Sequence, residues 1–110
     1  MKEYIFVYGQ FRDLARNLLG DFTFCGKSSV KGKIYRVNDS YPGYVNGDGI
    51  VYGDIYLIDN SVLSMLDEFE GDEYQRVKIK TLTDLDCWIY KYIKDVNGFK
   101  EIKGGDWLLR

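Results

Sequence analysis

The pattern of apolar and polar positions predicts a chain built mainly of β-strands. Runs rich in β-branched and aromatic residues occupy residues 4–8, 22–37, 50–58, 74–80 and 88–93, the second run being one long strand or two successive ones. Gly26 and Gly32 interrupt that run and could supply bulges that bend it. YPG at residues 41–43 and NG at 97–98 indicate turns, and NGDG at 46–49 is a strong hairpin signal.

Two stretches have helical rather than strand spacing. Three leucines at positions 14, 18 and 19 predict a first short helix. A second is predicted over residues 61–71, where the buried face is expected to carry Val62, Leu63, Leu66 and Phe69. Side-chain oxygens at residues 59–61 can cap its start, and Gly71 can adopt the left-handed conformation that ends a helix.

Glu70 occupies a position in this second helix where another apolar side chain would be ordinary. Val62, Leu66 and Glu70 form one i, i+4, i+8 row, so the carboxyl group is expected at the edge of the buried face and in the last turn. Burial and the negative end of the helix both disfavour the ionised form and should raise the pKa of Glu70. Such a group suits general acid/base catalysis. The alternative is a Glu70 side chain that turns outward into solvent.

These elements predict an α+β fold, with a mixed sheet curled into a small β-barrel flanked by short helices. The chain has 110 residues, of which 45% are hydrophobic and 16% aromatic. That length suits one domain spanning residues 1–110, with a core large enough to be stable without disulfides.

Charge and composition exclude several classes of function. The net charge is −2 and the basic residues are scattered, so we expect neither nucleic acid nor a membrane surface as partner. Cys25 and Cys87 lie far apart without a CxxC motif, and are predicted to be free core thiols. We expect no metal and no cofactor. The absence of histidine leaves carboxylates, tyrosines and backbone groups as candidate catalysts.

The sequence also carries expectations about location and assembly. No run approaches the roughly 18 apolar residues of a membrane span. The opening residues turn polar too quickly for a signal peptide, so a cytoplasmic location is expected. We expect a monomer or a weak homodimer.

The first strand stops at a glycine, which gives a second candidate for a binding site. Tyr8, Gly9, Gln10 and Phe11 follow a buried apolar run, and successive backbone N–H groups in such a loop can bind an anion such as a carboxylate. The alternative is that Gly9 only turns the chain.

Several motifs, in their order along the chain, resemble those of a known superfamily. They are FVYGQFR at residues 6–12, YPG at 41–43, VYGDIYLID at 51–59, LDEFEG at 66–71, YQR at 74–76 and GDW at 105–107. Together they resemble the γ-glutamylcyclotransferase-like superfamily, which includes the AIG2-like proteins, BtrG and γ-glutamylamine cyclotransferase, and most of all its short YtfP-like bacterial members.

The resemblance implies a small β-barrel whose cavity binds a γ-glutamyl group. By analogy with the family, backbone amides of Tyr8, Gly9, Gln10 and Phe11 would hold the substrate and Glu70 would be the general acid/base. The implied reaction closes the γ-glutamyl group to 5-oxoproline and releases an amine or amino acid, without metal or cofactor. The family usually has Thr or Ser, then Leu, at positions 10 and 11, so these residues do not identify the leaving amine.

Four further residues around the second helix and the chain end complete the candidates. Tyr74 is interpreted as either a cavity wall or a ligand contact, and Arg76 as a partner for an acidic residue of the helix, Asp67 or Glu68. Asp67 could compete with Glu70 as the catalytic acid. Trp107 is expected to cover the core.

Two other classes of function remain open at this point. One is a non-catalytic domain of the same fold that sequesters or senses a small metabolite. The other is a structural barrel whose role is protein interaction.

Overall fold

Six strands of one mixed sheet and one short helix make up the described part of the chain. The structure is a computed structural model, and it describes residues 1–9 and 22–110. The predicted first helix at Leu14, Leu18 and Leu19 lies outside the described residues. The strands are β1 (Lys2–Val7), β2 (Thr23–Arg36), β3 (Pro42–Asp59), β4 (Tyr74–Lys80), β5 (Asp86–Tyr92) and β6 (Lys100–Glu101). The helix α1 spans Leu63–Glu70 and follows a 3-10 turn at Asn60–Val62, and a second such turn spans Trp107–Leu109.

The sheet order is β4-β5-β1-β3-β2-β6, and the long strand β3 makes it curl. β3 pairs antiparallel with β1 along its last third, from Asp54 to Asp59, and with β2 along most of its length. β5 runs parallel to β1 at Ile5 and Trp88, and also parallel to β3 at Tyr44 and Lys91. Because β1, β3 and β5 thus contact one another in a circuit, the sheet curls into a half-barrel. The predicted α+β class is confirmed.

Glycine bulges bend β2, as predicted. The register of β2 against β3 shifts between Phe24 and Gly26 and again between Lys31 and Lys33. Gly26 has φ +116° and Gly32 has φ +153°. A Cβ on Gly32 would also lie 2.3 Å from Cε1 of Tyr44, so the backbone there must approach that ring closely.

The hairpin predicted at residues 46–49 is wrong. Those residues are part of β3, where they form a large, irregular bulge. Val45 pairs with Lys33 and Ile50 with Lys31, so four residues of β3 lie opposite Gly32 alone. The residues at 46–49 favour a turn by their local preference. The pairing of β3 with β2 on both sides of them is stronger than that preference, so the strand continues through the bulge.

The chain instead reverses between residues 37 and 41. Asn38 makes this turn by accepting hydrogen bonds at Oδ1 from the N–H groups of Ser40 (2.7 Å) and Tyr41 (3.0 Å). Pro42 and Gly43, which were predicted to lie in a turn, are already paired with β2.

The predicted helix near Glu70 is confirmed, but its buried face is narrower than expected. Asp59 caps the preceding 3-10 turn by accepting from the N–H of Ser61 (3.0 Å), and Gly71 ends α1 with φ +79°. Leu63 and Leu66 are 5% and 6% exposed, whereas Phe69 is 69% exposed. At about 100° per residue, Glu70 falls between these two leucines on the helix surface and Phe69 lies about 100° away. Phe69 therefore does not belong to the buried face.

The core has two parts, and one cysteine departs from the prediction. Trp107 is 2% exposed and covers one part, as expected, and Cys87 is buried in the same cluster. Cys25 is exposed. It is the residue at the register shift between Phe24 and Gly26, which takes it out of the regular alternation of β2.

In the described ranges, no helix is both long and apolar enough to cross a bilayer.

Candidate active site

A cavity of about 430 Å³ opens between α1 and the strands that face it. Its walls come from the end of β1, the start of β3, one face of α1, β4 and β5. Most of the lining side chains are apolar or aromatic. The described lining residues are Ile5, Phe6, Val7, Tyr8, Gly9, Phe22, Tyr41, Pro42, Leu66, Phe69, Glu70, Tyr74 and Tyr90.

Glu70 provides the carboxyl group among the described lining residues. It is the last residue of α1 and is half-buried, because its position between Leu63 and Leu66 turns it toward the interior. Burial raises the pKa of Glu70 from 4.5 to about 7. A carboxyl group with that pKa exists in both protonation states near neutral pH, so it can accept a proton in one step and return it in the next.

The hydroxyl of Tyr8 is occupied by the fold itself. It donates to the backbone carbonyl of Tyr90 (2.7 Å) and accepts from the N–H of Tyr44 (3.0 Å). Burial is the main cause that raises the pKa of Tyr8 well above its ordinary value. Tyr8 therefore offers the cavity its ring and backbone, while its hydroxyl fixes the end of β1 to β5.

Gly9 lines the cavity next to Tyr8 and lies against Pro42. A Cβ on Gly9 would be 3.0 Å from Cδ of Pro42, which is tighter than ordinary packing. Glycine thus lets the end of β1 approach the start of β3 closely. Gln10 and Phe11, the other two residues predicted to bind substrate, lie outside the described residues.

Tyr74 forms the wall beside Gly9 and Pro42. Its hydroxyl donates to the carbonyl oxygen of Pro42 (2.7 Å), and its ring packs edge-on against Tyr41 with centroids 6.2 Å apart. Burial, with a smaller contribution from the charge of Glu70, raises the pKa of Tyr74. The hydroxyl proton is used by Pro42, so these contacts are those of a cavity wall.

Asp67 has the opposite environment from Glu70 although both lie in the same short helix. Arg76 donates to it from Nε (2.9 Å) and from its second guanidinium nitrogen (3.2 Å), which confirms the predicted pairing, and the hydroxyl of Tyr90 also donates (2.7 Å). Partial burial acts to raise the pKa of Asp67, but these hydrogen bonds outweigh it and the pKa is lowered. Asp67 stays ionised and does not line the cavity, so the two carboxyl groups are suited to different roles.

Further aromatic and charged residues extend this cluster along β4 and β5. The guanidinium of Arg76 lies 4.3 Å from the ring centroid of Trp88, and the ammonium of Lys78 lies at the same distance. The indole N–H of Trp88 donates to Glu3 (2.9 Å). The guanidinium of Arg76 is therefore held both by its hydrogen bonds to Asp67 and by packing over the ring of Trp88.

The structure brings together most of the predicted site and adds residues that sequence reasoning missed. Tyr8, Gly9, Glu70 and Tyr74 line one cavity. Tyr90 lines it too and was not singled out, because its position in an aromatic strand gives no local signal of a polar role. In the part of the chain that the structure describes, no three His, Cys, Asp or Glu side chains are grouped so as to hold a metal ion.

Comparison with known proteins identifies the family of the chain. The family model described as γ-glutamyl cyclotransferase, AIG2-like, matches residues 5–109. The γ-glutamylcyclotransferase family protein YtfP of Escherichia coli K12 is 40% identical over 116 residues, covering 96% of each chain.

Solved structures show the same fold. The solution structure of ytfP from Escherichia coli superposes with a TM-score of 0.78 at 38% identity, again covering 96% of each chain. An AIG2-like protein from Mus musculus shares the fold at 20% identity, with a TM-score of 0.68 over 96% of this chain and 95% of that one. Sequence and fold agree over nearly the full length, and the chain belongs to the AIG2-like γ-glutamylcyclotransferase family.

Proposed function

We propose that this protein cyclises the γ-glutamyl group of a small γ-glutamyl-amine or γ-glutamyl-amino-acid conjugate to 5-oxoproline, with release of the amine. The observation that carries the proposal is the half-buried Glu70, whose pKa is raised to about 7 by burial, in the wall of a cavity of about 430 Å³. Membership of the γ-glutamylcyclotransferase family supports the same reaction class.

The proposed chemistry is an intramolecular aminolysis. The free α-amine of the substrate attacks its own γ-amide carbonyl, forming the carbon–nitrogen bond of a five-membered ring. Glu70, as a carboxylate, takes the proton that the attacking nitrogen loses. The protonated Glu70 then gives a proton to the leaving nitrogen as the original amide bond breaks. Atoms and charge balance, and the carboxylate is regenerated.

The cavity would accelerate this reaction mainly by holding the substrate folded. An extended γ-glutamyl group rarely places its α-amine near its γ-carbonyl, and confinement that enforces this contact can supply a large part of the rate. The walls formed by Tyr8, Tyr74 and Tyr90 are rigid because each hydroxyl donates a hydrogen bond within the fold. Closely packed walls of this kind suit a reaction that depends on substrate conformation.

The substrate's polar head is assigned to the end of β1. In the proposal, backbone N–H groups of residues 8–11 bind the α-carboxylate, and the scissile amide then points toward Glu70. Gly9 favours this arrangement because the absence of a side chain leaves its backbone accessible to a ligand. The identity of the leaving amine depends on the outer part of the cavity.

The direct test is to incubate the purified protein with γ-glutamyl amines and γ-glutamyl amino acids and to measure 5-oxoproline. We expect at least one compound to be converted, and Glu70→Gln to lower turnover by about 100-fold or more. Glu68→Gln is the matched control, because Glu68 is an exposed carboxylate on the same helix. No product from any compound would contradict the proposal. Unchanged compounds that nevertheless bind at this site would favour the non-catalytic metabolite-binding alternative.

A further inference from the structure

Tyr90 connects two walls of the cavity through opposite ends of one residue. Its backbone carbonyl on β5 accepts the hydroxyl hydrogen of Tyr8 at 2.7 Å. Its own hydroxyl donates to Oδ1 of Asp67, also at 2.7 Å. Tyr8 immediately precedes Gly9, and Asp67 lies on the helix that carries Glu70. Tyr90 is therefore hydrogen-bonded to both sides of the proposed site.

The Asp67 end of this connection is itself fixed. Arg76 bonds both carboxylate oxygens of Asp67, at 2.9 and 3.2 Å, and its guanidinium packs over the ring of Trp88. A hydrogen bond from a neutral hydroxyl to an ionised, already oriented carboxylate is among the stronger kinds in proteins. Movement of Asp67 away from Tyr90 would have to disturb the Arg76 pair as well.

The last turn of α1 depends on these bonds more than the first part of the helix does. Leu63 and Leu66 anchor the first part by burial, but Phe69 in the last turn is 69% exposed. Glu70 follows Asp67 by three residues, so the two side chains share one turn of helix. Hydrogen bonds that fix Asp67 therefore also restrain the turn of helix that carries Glu70.

We propose that Tyr90 is a positioning residue for the reaction, whose hydroxyl acts through Asp67 to hold Glu70 at a fixed place opposite Tyr8 and Gly9. This inference rests on the proposed function. Tyr90 takes no part in the proposed proton transfer, because its hydroxyl hydrogen is donated to Asp67, and Asp67 does not line the cavity.

The variant Tyr90→Phe tests the inference, since it removes only the hydroxyl. The bond from Tyr8 goes to the backbone carbonyl of Tyr90 and is retained, so the wall that would bind substrate should be unchanged. We expect kcat to fall by about 10- to 100-fold, the loss typical of small misplacements of a catalytic group, while KM changes less than about threefold. A rise in KM with unchanged kcat would contradict the inference.

A second measurement does not depend on turnover. If the last turn of α1 loosens, water reaches Glu70 more easily, and its titration should move toward lower pH in Tyr90→Phe. Carbon-13 NMR of the labelled glutamate carboxyl groups can follow this directly. The titratable groups that face Glu70 from the neighbouring elements are Tyr8, which directly follows β1, Tyr74 of β4 and Tyr90 of β5. These phenols are neutral near pH 7, so the readout reports the surroundings of Glu70.

Tyr44→Phe is the matched control. Its hydroxyl donates to the carbonyl oxygen of Lys31 at 2.6 Å, and Tyr44 does not line the cavity. The two variants should lose comparable thermal stability, yet only Tyr90→Phe should alter kcat and the Glu70 titration. Equal effects of both variants on kcat and on the titration would show that the role of Tyr90 is merely structural.

The inference and the proposed function can fail separately. An active wild-type protein whose kcat and Glu70 titration are unaffected by Tyr90→Phe would overturn the inference alone. A wild-type protein that forms no 5-oxoproline would overturn the reaction, and with it the positioning role in that reaction. In that case a shifted Glu70 titration would still establish the structural coupling between Tyr90 and Glu70.

Discussion

The hydroxyl of Tyr74 donates a hydrogen bond at 2.7 Å to the carbonyl oxygen of Pro42, and both residues line the cavity. Pro42 in turn packs against Gly9, where a Cβ would lie only 3.0 Å from Cδ of the proline. Strand β4, the start of β3 and the end of β1 are thus held together at one point. The place where the substrate's head is proposed to bind depends on this arrangement.

Removal of the Tyr74 hydroxyl should therefore affect both stability and binding. In Tyr74→Phe the partly buried carbonyl of Pro42 loses its partner, which should lower the free energy of unfolding by about 1 kcal/mol. We expect KM to rise a few-fold because Pro42 is no longer held against Gly9. Tyr92→Phe is a suitable control, since the Tyr92 ring packs on Tyr74 (5.3 Å) but its hydroxyl makes no hydrogen bond to the described residues. Urea unfolding and steady-state kinetics of both variants would decide the matter.

The pH dependence of the reaction should report Glu70. Because burial raises its pKa to about 7, only the ionised fraction can act as the base for the attacking amine. The ratio kcat/KM should therefore rise with pH through an apparent pKa near 7 in the free enzyme. Asp67 should give no such limb, because its hydrogen bonds lower its pKa. An acidic limb near pH 4 would instead assign the base to an ordinary, hydrated carboxylate.

The same burial makes Glu70 costly to the folded state at high pH. Its folded pKa is raised from 4.5 to about 7, so the folded protein keeps the proton over a range in which the unfolded chain has released it. The contribution of Glu70 to the free energy of unfolding is therefore most favourable below about pH 4.5. It falls as the pH rises to about 7 and is constant above that. At about 1.4 kcal/mol per pKa unit the loss amounts to roughly 3 kcal/mol.

Glu70→Gln should remove this loss. We expect its free energy of unfolding to exceed that of the wild type by about 2–3 kcal/mol at pH 8, and by almost nothing at pH 4, where both side chains are uncharged. Denaturant unfolding at the two pH values measures the difference, with Glu68→Gln as the exposed control. A gain that is the same at both pH values would show that the charge of Glu70 is not its cause.

The close approach of β1 and β3 should make Gly53 intolerant of substitution. A Cβ there would lie 2.4 Å from the carbonyl oxygen of Val7 and 2.6 Å from Cζ of Phe6. Gly53→Ala should destabilise the protein by about 1–3 kcal/mol and reduce activity, because the displaced β1 leads directly into Tyr8. Gly104→Ala meets no atom within 4 Å and should change stability by less than about 0.5 kcal/mol. Thermal unfolding and 5-oxoproline assays on both variants test this.

Features encoded within a few residues of sequence could be predicted well. The helix that ends at Glu70 was predicted from its spacing, from capping oxygens at residues 59–61 and from Gly71, all of which are local. The bulges at Gly26 and Gly32 were predicted because glycine favours such conformations wherever the strand partner lies. The raised pKa of Glu70 was predicted from burial on the helix face together with the negative helix end, and burial is its cause in the structure.

Features decided by distant partners could not be predicted. Residues 46–49 look like a hairpin, but β2 pairs with β3 on both sides of them. Tyr90 is bonded to Asp67, 23 residues away in sequence, and to Tyr8, 82 residues away. No local pattern around Tyr90 specifies either contact. The exposure of Phe69 was missed because the spacing of apolar residues along the helix does not show how much of the helix surface the neighbouring strands cover.

The circuit of β1, β3 and β5 has a consequence for how the protein folds. β2 and β3 are joined by a short turn, so they can pair quickly. β1 precedes both of the described strands with which it pairs, β3 and β5, and its contact with β5 at Ile5 and Trp88 closes a loop that contains most of the chain. During synthesis on the ribosome, the apolar face of β1 must therefore wait for β5 to emerge. We therefore expect nascent chains to be most prone to aggregation over the interval between those two strands.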